Sequence, residues 1–187
     1  MERTIGRWQR SFPEEAAIIG RLLVGYGDME FGLCILLGTV IQNVKSSIGA
    51  MYCVRSEGAR VDIAEALLMP KMQGAGLSDQ YIHTMAEMRF CKGVRNQYAH
   101  AHWMDVPERL QFFNLENIAK SSLPNPLVNP VSIDVPLLRL QENHFGYVDD
   151  LLTYLEKEYC RKALGGEEHD IQKPRQERRP KLHIPRD

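Results

Sequence analysis

Apolar residues recur along most of this chain at steps of three and four, the period of a helix packed on one side. The first such run is Ile18, Leu22, Tyr26, Met29, Leu33, Leu36 and Val40. Ser11 and Glu14 have the spacing of a capping box, and Pro13 suits a first turn, so a helix is expected to start there. Gly25 and Gly27 flank Tyr26, which predicts a kink or break near residue 27, with Asp28 capping a second helix to about residue 53. Gly32, Gly38 and Gly49 lower helix propensity in that stretch but permit close packing. Val61, Ala64, Leu67 and Leu68 predict a helix over 58–70, ended by Pro70 and the glycines at 74 and 76. Ser78 or Asp79 then caps a helix to about residue 101, with Ile82, Met85, Met88 and Val94 inward.

The pattern then changes. Over 108–118, Leu110, Phe112 and Leu115 alternate with polar residues, as in a short strand or hairpin. Pro124, Pro126, Pro130 and Pro136 mark 121–136 as a loop. Leu138, Gln141, Phe145, Val148, Leu152, Leu155 and Tyr159 then trace one face of an amphipathic helix over 137–163, stopped by Gly165-Gly166. The expected fold is all-α: an antiparallel bundle of four to five helices, with a short hairpin insertion around 108–118. One helical domain should span 1–165, with a core over 14–103, an insertion over 104–136 and the final helix. The tail over 166–187 is poor in apolar residues and reads as a flexible, solvated end in preference to an RNA-binding arm.

Composition narrows the class. The chain has 187 residues, 44% hydrophobic and 25% charged, which suits one globular domain with appendages. Its net charge of −1 provides no global field for nucleic acid, so any RNA contact needs a local patch or a cleft between copies. Cys34, Cys53, Cys91 and Cys160 are scattered and form no zinc-type pair; Cys34 and Cys91 lie in apolar helical patterns as small core residues. The N-terminus lacks the apolar core of a signal peptide, and the stretch from Phe31 to Ile41 is too short to span a bilayer. The expectation is a cytoplasmic protein with no membrane contact.

The candidate chemistry is concentrated in Arg95-Asn96-Gln97-Tyr98-Ala99-His100, followed by Ala101-His102-Trp103. Arginine offers a permanently charged fork for phosphate, and histidine can exchange a proton near neutral pH. Arg139 to His144 and Arg178 to His183 repeat the Arg-x4-His spacing. Arg95 is preferred because Asn96 follows it, Ala99 is small, and the segment ends a helix. A structural reading stands beside it, with Arg95 paired to Glu87 or Asp105 and His100 a satisfied, partly buried histidine. His100 and His102 lie two apart, on opposite sides of a helix, and no third ligand is placed, so neither a metal nor another cofactor is expected.

Arg95, Asn96 and His100 resemble the Arg-Asn-x3-His form of the motif of HEPN domains. The resemblance implies a helical, usually dimeric protein. Many members of that family are metal-independent endoribonucleases of toxin or defence systems, and others only bind or scaffold. It implies Arg95 and His100 as catalytic residues. Asn96, Tyr98, His102 and Trp103 become candidates for positioning substrate, with Trp103 stacking on a base. Asp28 or Glu30 becomes a candidate acidic partner on an earlier helix. The implied partners are a second copy of the chain, RNA or a nucleotide, and an antitoxin-type protein. The alternative is a non-catalytic helical module for a nucleotide, small ligand or protein. Positions five apart on a helix differ by about 140° in azimuth, so Arg95 and His100 converge only if the helix ends between them or a second copy completes the site.

Overall fold

The computed structural model describes residues 7–115, 119 and 130–184. In chain order the elements are α1 (Arg7–Ser11), α2 (Pro13–Val40), α3 (Val44–Tyr52), α4 (Glu57–Gly74), α5 (Ser78–Ala99), β1 (Ala101–Val106), β2 (Arg109–Asn114), β3 (Val131–Ser132) and α6 (Val135–Ala163). The chain is mostly helical, but it also carries an antiparallel sheet in the order β1-β2-β3. The all-α expectation is corrected by that sheet.

Helix α2 is the spine of the core. It packs along α6 over its greatest length and also touches α3, α4 and α5. Leu22, Met29, Leu33, Leu36 and Leu37 on it are almost fully buried, and each such side chain contributes about 1.5–3 kcal/mol. By length and composition α2 could cross a membrane, yet half of that apolar window is buried inside the bundle.

No break occurs near residue 27; α2 runs from Pro13 to Val40. Gly25 instead lets Phe145 of α6 come close, 3.6 Å from where a Cβ would lie. The break comes at residues 41–43. There the Asn43 N–H bonds to the Gly38 carbonyl (2.8 Å) and the Gln42 N–H to that of Thr39 (3.2 Å), with Gln42 at φ 53°. This is a Schellman ending. Asn43 then caps α3 by accepting from the Ser46 N–H at 2.9 Å.

Several other expected boundaries move. The capping box does not form: Phe12 is the N-cap of α2, and Ser11 Oγ donates to Asp105 Oδ2 at 2.7 Å. Helix α4 passes through Pro70 to Gly74, held by the fully buried Leu68 and Met72. Helix α5 has Leu77, not Ser78 or Asp79, at its N-cap. Leu67 and Ile82 face solvent, and the adjacent Leu68 and Tyr81 take the core positions.

The hairpin begins at Ala101, not near 108. Pro107 and Glu108 form its two-residue turn, and Trp103 pairs across from Phe112. Those two rings, 5.4 Å apart, face Tyr98 at the end of α5, and Trp8 of α1 stacks on Trp103 at 4.6 Å. This aromatic cluster explains the early switch from helix to strand. Residues 116–118 of the expected insertion and 121–129 of the expected proline-rich loop lie outside the described residues.

The segment after α6 is mostly exposed, yet it is tied to the bundle at a few points. Beyond Gly165 (φ 70°) it returns without regular structure along α5 and α6 as far as Ile184. Arg179 Nε meets the buried Glu87 at 2.8 Å, and Gln141 Nε2 donates to the Lys181 carbonyl at 2.8 Å. Gln97 grips the His183 backbone twice, at 2.6 and 3.2 Å, and the His183 side chain is 5% exposed. The local sequence gives no apolar signal for this docking, because polar side chains on distant helices hold it. Residues 185–187 lie outside the described residues.

Candidate functional site

The last turn of α5 and the start of β1 separate the six candidate residues, Arg95, Asn96, Tyr98, His100, His102 and Trp103, into three environments. Arg95 is half-buried, its side chain 24% exposed. It points to the start of α4, where its terminal nitrogens meet Glu57 Oε1 and Oε2 at 2.8 and 3.3 Å. One of them also donates to Asn96 Oδ1 at 2.9 Å. The arginine is therefore paired, but with Glu57. Glu87 and Asp105 serve other groups, Glu87 holding His144 and Arg179, and Asp105 holding Ser11 and Arg7.

His100 is the C-cap of α5, at φ −104° and ψ 12°, and is exposed. Arg95 turns to Glu57 on α4 while His100 faces solvent, so the two groups do not meet within one chain. His100 opens onto a shallow groove of about 320 Å³ lined by Ala99, Ala101, His102, Asn114 and Leu115. His102 is also exposed and stacks on Phe113, with ring centroids 5.4 Å apart. The groove thus presents two imidazoles to solvent.

Tyr98 and Trp103 lie behind this surface. Tyr98 is buried at the core end of α5, donates its hydroxyl proton to Gln141 Oε1, and meets His183 Nδ1 at 2.8 Å. Burial pushes its phenol well above the ordinary value. Trp103 lies against both Trp8 and Tyr98, so its role is to anchor the hairpin. Tyr98 is closed off from solvent, whereas Trp103 is only partly buried.

The two candidate acids also separate. Asp28 is exposed and its field falls on Asp149 of α6. Glu30 is 5% exposed and turns inward, 3.6 Å from Arg60 of α4. Burial raises the Glu30 carboxyl above the usual range, opposed by Arg60, Lys92 and Arg95 and reinforced by Glu57. Its Oε1 has no hydrogen-bond partner, and neither does the buried Nε of Arg60. Glu30, Glu57, Arg60, Lys92 and Arg95 therefore form one ionic cluster where α2, α4 and α5 meet.

Sequence reasoning missed Glu57, Arg60 and Lys92. Lys92 was legible, because it lies three residues before Arg95 and so shares its helix face. Glu57 and Arg60 share a face of α4, but nothing local links that face to residue 95.

The rival spacings resolve by burial. Arg139 pairs with Glu14, while His144 is buried against Glu87 at 3.0 Å. Arg178 is exposed and His183 is buried. Burial lowers the pKa of both His144 and His183. Of the three histidines, His100 alone is open to solvent. Among the described residues, no group of three or more His, Cys, Asp or Glu side chains is arranged to hold a metal ion. Comparison with family models, curated proteins and solved structures finds no match to this chain.

Proposed function

We propose that this chain is a HEPN-type endoribonuclease that cleaves RNA without a metal and works as a homodimer. The observation that carries the reading is the exposure of His100 at the end of α5, five residues after the half-buried guanidinium of Arg95. His100 as general base takes the proton of a ribose 2′-hydroxyl. The 2′-oxygen forms a bond to its own phosphorus as the bond to the 5′-oxygen breaks. The leaving oxygen collects a proton from His100 of a second copy, and the products are a 2′,3′-cyclic phosphate and a 5′-hydroxyl. Arg95 steadies the charge that grows on the phosphate oxygens, and Asn96 holds the guanidinium in place.

The proposed dimer has a surface available. Val24 and Phe31 of α2 and Val44, Ile48 and Tyr52 of α3 are large apolar side chains left exposed. A two-fold interface would set the same residues of both copies together. A toxin or defence role, held in check by an antitoxin-type partner, belongs to the same proposal. A second reading, a binding module without catalysis, is favoured by the Glu57 carboxylate already seated on Arg95.

Cleavage of a mixed RNA pool in EDTA by wild type, Arg95→Ala and His100→Ala tests the proposal. The variants must first be matched for folding and oligomeric state. Cleavage by wild type alone, leaving cyclic phosphate ends, is expected. Equal cleavage by all three proteins would remove this site from consideration, and no cleavage by wild type would leave the binding module.

A further inference from the structure

The ionic cluster is unbalanced. Three cations, Arg60, Lys92 and Arg95, face two carboxylates, Glu30 and Glu57, and burial pushes Glu30 toward its neutral form. Arg60 is held in one orientation. Its guanidinium lies 5.3 Å from the centre of the Tyr52 ring, and one terminal nitrogen is 3.6 Å from Glu30. Its Nε–H is nonetheless buried without an acceptor. An orphaned buried donor costs about 1–3 kcal/mol, so one beside a second orphan, the Glu30 Oε1, calls for an explanation.

The surroundings suit an anion. Lys92 Nζ lies against Gly58, in the first turn of α4, 3.5 Å from where a Cβ would sit. It forms no ion pair among the described residues. The first turn of α4 adds partial positive charge at the same place, although Ser56 Oγ already caps the Ala59 N–H. The Glu57 carboxylate, bound through both oxygens, occupies the Arg95 fork, with Asn96 Oδ1 on one of the same nitrogens. A carboxylate held in that way has the shape and charge of two oxygens of a phosphate.

We propose that Arg60, Lys92 and Arg95 form a seat for a phosphate group, and that Glu57 is an internal stand-in which closes the seat until a phosphate displaces it. The inference rests on the reading of Arg95 as the residue that holds phosphate. It extends the site to α4 and assigns Glu57 the part of a competitor. A bound phosphate would accept from the Arg60 Nε–H and from Lys92, which are the donors now without a partner.

The test is calorimetric titration of inorganic phosphate and of a 2′-deoxy dinucleotide, which carries a phosphodiester that cannot be cleaved through a 2′-hydroxyl. Ionic strength is held constant with chloride. Glu57→Gln keeps the size of the side chain and should bind both probes about tenfold more tightly than wild type, because a charged competitor is lost. Arg60→Gln and Lys92→Ala, introduced into the Glu57→Gln protein, should each weaken binding by about fivefold or more, while Lys71→Ala on the same helix leaves it unchanged. Binding of phosphate alone would assign the seat to a free or terminal phosphate; binding of both probes would assign it to a phosphate within a chain. The inference is overturned if Glu57→Gln binds neither probe at millimolar concentration, or if binding ignores Arg60 and Lys92. Because the readout is binding of an uncleavable probe, it stands apart from nuclease activity. Seat without cleavage would sink the nuclease reading alone, and cleavage indifferent to Arg60 and Lys92 would sink the seat alone.

Discussion

His183 should stabilise this fold far more than a residue near the end of a polar tail is expected to. Its ring joins three elements. Nε2 accepts from the N–H of Asp134, the residue that caps α6, at 2.9 Å. Nδ1 therefore carries the proton and donates it to the Tyr98 hydroxyl of α5 at 2.8 Å. The ring also lies edge-on to Phe112 of β2, with centroids 6.4 Å apart. In His183→Ala the part-buried Asp134 N–H loses its acceptor, which costs about 1–3 kcal/mol, and the bond to Tyr98 is lost for about another 1 kcal/mol. The expected loss is roughly 2–4 kcal/mol, a large share of the 5–15 kcal/mol typical of a domain. Urea denaturation followed by circular dichroism gives the difference directly. A change below about 0.5 kcal/mol, the size of an ordinary surface substitution, would refute the account of the docked segment.

The same geometry sets a pH dependence. A proton added at Nε2 would point at the Asp134 N–H, donor against donor, and burial already depresses the pKa of His183. The charged group that acts on it is the Asp134 carboxylate, which favours the charged imidazole. Its neighbours on α5 and α6, Gln97, Tyr98 and Gln141, are neutral. The unfolded chain binds this proton more readily than the folded one, so stability rises with pH across the window. The contribution is complete above the ordinary histidine value of about 6.5 and is lost as pH falls through it toward the depressed folded value. His144, also depressed chiefly by burial, adds in the same direction. The urea midpoint of the wild type should fall between pH 7.5 and 5.5, and that of His183→Gln should fall less. Equal slopes would remove His183 from the account.

Two substitutions test the turn between α2 and α3. Gly38→Ala would place a Cβ 2.8 Å from Val44 Cα and 2.9 Å from Val44 Cγ2, and should cost about 1–3 kcal/mol in urea denaturation; an unchanged midpoint would mean that α3 does not pack where it is described. Gln42→Gly removes the penalty of a side chain at φ 53° and should raise stability by about 1 kcal/mol, measured as a higher thermal midpoint; a lower midpoint would refute the Schellman ending.

What was legible in the chain follows from how local each signal is. The last helix could be read because Leu138, Phe145, Val148, Leu152, Leu155 and Tyr159 all bury one stripe, and that stripe is a property of adjacent turns. The break in α2 could not, because Gly25 and Gly27 are ordinary helix-breaking signals overruled by packing on α6. The real break is formed by Gln42, a residue without special propensity for its conformation. Tertiary contact along a long helix outweighs about 1 kcal/mol per glycine. The docking of the tail was illegible for the opposite reason: with few apolar residues it carries no periodic signal, yet Gln97, 86 residues from His183, holds it by two hydrogen bonds.

The candidate site follows the same division. As bare Arg-x4-His spacings the three matches are equal, and only Asn96 and Ala99 set the first apart in sequence. What separates them is whether the histidine is free to meet a substrate, and that depends on partners far away in sequence: Glu87 for His144, and Tyr98 with Asp134 for His183. The same long-range logic brings Glu57 to Arg95 across 38 residues. A short motif can therefore name the groups capable of the chemistry, but burial and pairing decide which copy is available. By that criterion the Arg95–His100 match has an open histidine and an occupied arginine. Under the proposed phosphate seat, the state of Glu57 is the variable that separates a resting site from a loaded one.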